Sequence, residues 1–163
     1  MVSIIAKTIN QRMTVKFGGD FVIFLIGMRI NKWWKVHKCR PVAIAMTKII
    51  KELNSKSKEK TGFLGVEQTM GIIVQYWRSF EHLDAYAKDR ECLHFPAWRE
   101  FNKKIRSNGD VGIWHETYQV HAGEFECFYN NMPPKGLGKV GELIPAIGKL
   151  ESAAGRISPP DNR

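Results

Sequence analysis

At 163 residues the chain has room for one domain with a real core and hardly for two, and its 44% hydrophobic and 25% charged residues exclude a disordered protein. Three cysteines, Cys39, Cys92 and Cys127, odd in number and without a C-x-x-C pair, argue against a disulfide framework or a cysteine-rich zinc site and fit a reducing, intracellular compartment. The formal charge of +9 is uneven: residues 29–60 carry ten Lys or Arg against only Glu52 and Glu59.

The first 20 residues form a polar leader with Lys7, Arg12 and Lys16 and no acid before Asp20, read as a flexible or dimer-docking arm. "FVIFLIGMRI" at 21–30 reads as a strand buried on both faces. Its apolar stretch is shorter than the about 20 residues a bilayer needs, so no membrane span is expected. From about 36 to 54, Val42, Met46, Ile49, Ile50 and Leu53 recur at helical spacing, with Lys48, Lys51 and Glu52 turned outward and Pro41 near the start. The basic stripe here has no nucleic-acid recognition motif beside it and reads as a solvated helix face, so no nucleic-acid partner is expected.

"SKSKEKTG" at 55–62 reads as a solvated loop, followed by strands "FLGVEQTM" and "IIVQYWRS" joined tightly around Gly71. Ser79 is placed to cap a short helix over "FEHLDAYAKD". A further helix, "FPAWREFNKKI" at 95–105, starts with Pro96, where a missing N–H costs least, and "SNGD" stops it. A β-hairpin over 112–133 follows, turning at Ala122, Gly123 and Glu124.

The order β, α, β, β, α, β is the ferredoxin-like plan: an α+β domain over residues 21–131, an antiparallel sheet with helices on one face only. Residues 132–163 read as an irregular tail, partly covering the barrel mouth and frayed from about 152. Ile72, Val74 and Tyr76 alternate with Ile73, Gln75 and Trp77, and large side chains also alternate over 113–118, so both sheet faces carry bulk. The helix-free face therefore calls for a cover, most simply the same face of a second copy in a two-fold homodimer, whose two sheets would enclose a barrel.

His115 on the last hairpin is the leading acid–base candidate, with Tyr118 assisting: a barrel-facing imidazole near neutral pKa exchanges a substrate proton. Its i+2 neighbour Thr117 suits a partly polar cavity, so His115 is expected to face the barrel lumen. Trp77, Trp98, Phe101, Trp114, Thr117 and Met132 are candidates for the pocket wall around a hydrophobic small molecule. His37, His82 and His121 are expected to be solvated. "GLGKVG" at 136–141 spells G-x-G-x-x-G but ends a β-rich segment with no βαβ unit after it, so it reads as a loop, and neither NAD nor flavin is expected.

The segments "GMRINKWWKVHKCRPV", "TGFLGVE", "VQYWRSFEHLDAYAKDRECLHFPAWREFN", "GDVGIWHETYQV" and "FECFYNNMPPKGLGK" together resemble a monooxygenase family of the dimeric α/β barrel superfamily, related to antibiotic-biosynthesis monooxygenases. The resemblance spans roughly residues 27–139 and implies an oxygenase of natural-product secondary metabolism, cofactor-free where the substrate is its own reductant. "LHFPAW" and "WHETYQV…FECFYNNMPPKG" are also distantly similar to the haem-containing aldoxime dehydratases. That similarity implies haem b with His94 as iron ligand and His115 as the distal acid–base group. A non-catalytic binder of a hydrophobic ligand is the third alternative.

Overall fold

The computed structural model describes residues 7–35, 40–69, 71–96, 99, 103 and 109–157. They form two units, one over Val22–Tyr118 and one built from Met1–Phe21 with Gln119–Arg163.

In the central unit, strand β2 (Phe21–Ile30) leads to helix α1 (Arg40–Ser55), a short helical turn α2 (Lys58–Thr61), strands β3 (Phe63–Thr69) and β4 (Ile72–Trp77), helix α3 (Phe80–Lys88) and strand β5 (Val111–Val120). The sheet order is β3-β4-β2-β5 and the β3/β4 and β2/β4 pairs are antiparallel, which is the ferredoxin-like α+β arrangement expected from the pattern. Pro41 lies in the first turn of α1, where its missing N–H removes no intrahelical bond. Residues 94–96, 99 and 103 are helical, all but residue 94 within the helix expected at 95–105, whose remaining residues lie outside the described ones.

Register fixes the two faces of the sheet. Val22 pairs with Trp77, Phe24 with Gln75 and Ile26 with Ile73, so these six share a face. That face is the packed one: Val22, Phe63 and Trp77 cluster with Ile49 and Leu53 of α1 and with Leu83 and Tyr86 of α3. Trp77 has no exposed surface, and its indole N–H donates to Gln75 Oε1 at 3.0 Å, so the buried amide is satisfied where it would otherwise be costly. The opposite face carries Ile23, Leu25, Val74 and Tyr76. Gly27 lies there too, because a Cβ on it would sit 2.5 Å from the Trp114 indole nitrogen. Gly62 takes φ +69° at the end of α2, and its missing side chain leaves room for the His82 ring. His82 is thus half-buried, and Ser79 turns its hydroxyl to His82 Nδ1 at 2.9 Å instead of capping α3 through its side chain.

The second unit departs from the sequence reading. The leader holds strand β1 (Ile9–Lys16), the middle strand of a three-stranded sheet with β6 (Tyr129–Met132) and β7 (Glu142–Pro145). Met13, Thr14 and Val15 are buried, so this stretch is packed strand and not a flexible segment. The tail likewise carries β7, two 3-10 turns and a helical turn at Ala153–Arg156, where Ser152 caps with its side chain. The 112–133 hairpin does not form: the turn closes, with Glu124 N–H donating to His121 O at 3.0 Å, but β6 pairs with β1. The cause is the leader's competing contacts. Asp20 accepts from Ala122 N–H at 2.9 Å and lies 3.3 Å from His121 Nδ1, and Phe125 meets Phe21 edge-on at 5.4 Å.

The glycines of "GLGKVG" have structural uses in this unit. Gly136 has φ +54°, a Cβ on Gly138 would press 3.1 Å from the Tyr129 ring, and one on Gly141 would lie 2.5 Å from Val15. Gly136–Lys139 is a 3-10 turn.

Candidate functional site

Strand alternation places the candidate residues. Val111 packs with Met28 and Val42 of α1, which anchors the face of β5 that carries Val111, Ile113, His115 and Thr117 to the helix-covered side. His115 agrees with this: its ring lies 5.6 Å from that of Phe24, which packs against the helix-side cluster. His115 therefore leaves the sheet on the helix-covered face and not into the helix-free lumen expected for it. Thr117 misled the reading because β5 is exposed from Ile113 to Gln119, and polarity on an exposed strand says nothing about which face meets a cavity. Tyr118, expected to act beside His115, projects from the opposite face. Its hydroxyl donates to Glu116 Oε2 at 2.5 Å, and that carboxylate pushes the phenol pKa up, the wrong direction for a base.

A cavity of about 180 Å³ opens on the helix-covered side between α1 and the sheet. Ile26 and Met28 of β2, Val42 and Met46 of α1, Ile73 of β4 and Ile113 of β5 make its apolar walls, with Thr47, Gln68 and Thr69 as polar points. Ile113 is thus the wall residue nearest His115 on β5, two positions away on one face, or roughly 7 Å along the strand. None of Trp77, Trp114, Thr117 and Met132 lines this cavity. Trp77 is core, Trp114 covers Gly27 on the other face, and Met132 belongs to the second sheet, opposite Ile9. Trp98 and Phe101 lie outside the described residues. The cavity lining was missed because its residues read as plain helix and strand core, and only the gap left between them distinguishes them.

A second cluster also escaped the sequence reading. Glu52, expected to face solvent, is mostly covered, and its carboxylate accepts from Tyr86 Oη and Leu93 N–H at 3.1 Å each and pairs with Lys56 at 3.1 Å. Burial works against ionisation, yet the bonds from Lys56, Leu93 and Tyr86 outweigh it and hold the carboxyl below its usual range. Lys56 also donates to Cys92 Sγ at 2.9 Å, while the Cys92 thiol donates to Asp89 at 3.0 Å, and burial pushes the thiol pKa up. Burial likewise raises the Tyr86 phenol well above its usual value. The thiol and phenol are held neutral, which suits a bonded structural knot and not a nucleophile.

His94 borders this knot. Its ring lies 6.0 Å from Tyr86, its Nδ1 is buried without a partner, and burial lowers its pKa. An orphaned imidazole nitrogen is what a metal would satisfy, but His94 does not line the cavity and its ring rests on Tyr86. Haem ligation by His94 would use this unpartnered nitrogen, and no step is drawn through iron. No group of three or more metal-ligating side chains occurs among the described residues, and no helix there is long and apolar enough to cross a membrane.

Monooxygenase af470 of Aspergillus fumigatus is 26% identical over 136 residues, a match covering 74% of this chain. The chain spans 46% of that relative's length. The match to the family described as Monooxygenase af470-like runs over residues 21–137, from the start of β2 through the turn after β6, and so takes in the whole ferredoxin-like sheet, the α1 cavity and His115. By that match the chain belongs to the monooxygenase af470-like family.

Proposed function

We propose that the chain is a monooxygenase-type enzyme that takes a hydrophobic, natural-product-like small molecule into the cavity under α1, with His115 as its acid–base group. The observation that carries this reading is the cavity itself, apolar on nearly all sides, with its β5 wall residue Ile113 on the same face as His115. At about 180 Å³ it is smaller than the roughly 300–1,000 Å³ of drug-sized sites and suits one ring system, or the apolar part of a larger molecule. The family name supports the oxygenase class.

The chemistry these residues favour needs an electron-rich substrate with an acidic CH2 group, such as an anthrone or a phenol tautomer. His115 takes one proton, the carbanion reduces dioxygen and combines with it, and the peroxide takes that proton back from His115 to become a hydroperoxide. The second hydrogen of the same carbon then leaves as a proton while the O–O bond breaks, releasing water and leaving a carbonyl: one oxygen atom enters the product, the other leaves as water, and the substrate supplies all four electrons. Apolar walls orient the substrate. Ile23, Leu25, Val74 and Trp114, on the helix-free face, support a homodimer through that face.

The test pairs oxygen uptake with melting temperature on a panel of anthrones and phenols. His115→Ala is expected to lose turnover by about a hundredfold or more with an unchanged melt. Ile113→Trp, which fills the cavity, is expected to remove ligand-induced stabilisation. Full turnover by His115→Ala would refute the acid–base role.

A further inference from the structure

Among the described residues between β2 and α1, the chain makes a 3-10 turn over residues 33–35. Trp33 is 79% exposed and Trp34 61%, with their rings edge to face at 5.8 Å. Tryptophan is among the most burial-prone side chains on average, and two adjacent indoles in water forgo a large hydrophobic gain. They are not on a slack loop. Lys32 and Lys35 reach Asp110 at 2.9 and 3.0 Å, the Asp110 carboxylate is buried, and Asn31 N–H donates to Asp110 O at 3.0 Å. The turn is pinned at both ends and presents its tryptophans outward.

The surroundings are cationic. Arg29 and Arg40 flank the turn and are exposed. On α1 the exposed Ile44 is followed on one helix face by exposed Lys48 and Lys51, one and two turns on. Exposed Ile30 adds to the apolar part. Indoles and aliphatic side chains amid Lys and Arg match the polarity gradient of a lipid headgroup layer, where amphipathic rings settle at the boundary and cations meet anionic headgroups.

We propose that the tryptophan turn, with the basic outward face of α1, docks this protein on an anionic phospholipid surface. The attachment is peripheral, with Trp33 and Trp34 inserted at headgroup depth and Arg29, Arg40, Lys48 and Lys51 facing the lipid charge. A nucleic acid would match the charge but not the pinned pair of indoles beside Ile30 and Ile44, and it would favour planar stacking along a groove.

The experiment is sedimentation of the full chain with large vesicles, without any substrate, so that its failure leaves the oxygenase reading untouched. Phosphatidylcholine vesicles are compared with vesicles carrying roughly one third phosphatidylserine. The protein is expected to bind the phosphatidylserine vesicles, to release them at high salt, and to show a blue-shifted tryptophan emission when bound. Trp33→Ala/Trp34→Ala is expected to weaken binding about tenfold or more and abolish the shift, with an unchanged melting temperature because both side chains are exposed. Lys48→Gln and Lys51→Gln are expected to weaken it roughly fivefold each. Three outcomes would overturn the proposal: no binding by the wild-type protein, undiminished binding by the double tryptophan variant, or tighter binding to duplex or single-stranded DNA than to the vesicles. A fourth would be conversion of a dimer to a monomer by the double variant, which would make the turn a contact between copies.

Discussion

The central unit and the terminal unit are both antiparallel sheets, but they are assembled over different chain distances. β3 and β4 join across a tight turn at Gly71, and α1 and α3 pack on strands close to them in sequence. β1, by contrast, pairs Met13 with Tyr129 on one side and with Pro145 on the other, more than a hundred residues away. Closing such a loop costs entropy before any contact repays it, so the terminal sheet depends on a few good contacts. The central unit rests on a dense core of Phe63, Trp77 and Leu53, all nearly or fully buried. In the terminal unit the buried β1 residues include the polar Thr14, whose hydroxyl donates to Cys127 O at 2.8 Å.

The largest expected effect falls on the central core. Trp77→Ala removes the side chain that meets Phe63 at 5.2 Å and Tyr86 at 5.6 Å, and it strips the partner from buried Gln75. A loss of about 3–5 kcal/mol is expected, read as a lower denaturant midpoint with cooperative unfolding of the whole central sheet. A shift under about 1 kcal/mol would mean that the core is not centred on this residue.

The same difference explains how much was legible in the sequence. Periodicity reports local faces, so β2, α1, β3, β4 and α3 could be read from residues such as Val22, Leu53 and Trp77. Strand partners are a different matter. Nothing in "INQRMTVK" names β6 or β7 as its neighbours, and the alternation in "FECFYNNM" fits a hairpin with β5 as well as the pairing it makes with β1. Of the site, His115 was legible as a residue but not as a face, because β5 lacks a clean buried stripe. The cavity was illegible, since a void between α1 and the sheet is a property of packing and not of any one position.

A smaller effect tests whether the terminal sheet is a separate layer of stability. Thr14→Val keeps the shape of the side chain and leaves the Cys127 carbonyl without its donor, at a cost of roughly 1–2 kcal/mol. Amide exchange in β1, β6 and β7 is expected to speed up while protection in β2, β3 and β4 stays as it was. Equal loss of protection in both sheets would show one cooperative unit and dissolve the distinction between the two regions.

The smallest effect is a dependence on pH that belongs to the central unit through His94. Burial lowers the pKa of its imidazole, against a contrary pull from the Ala87 backbone. In the unfolded chain the ring titrates near about 6.5, so above that pH it is neutral in both states and adds no slope. As the pH falls below about 6.5 the unfolded chain takes up the proton first, and stability declines until the lower folded pKa is passed. Its neighbours do not blur this window: Tyr86 and Cys92 are shifted up and stay protonated, and Glu52 and Asp89 are shifted down and stay ionised. The wild-type melting temperature is therefore expected to fall between pH 7.5 and pH 5, on the order of a few degrees. His94→Gln, which cannot titrate, is expected to flatten that slope while losing less stability at neutral pH than Trp77→Ala. An unchanged slope in His94→Gln would place the titrating group elsewhere, and a ring resonance of His94 titrating above about 6.5 would reverse the sign of the argument.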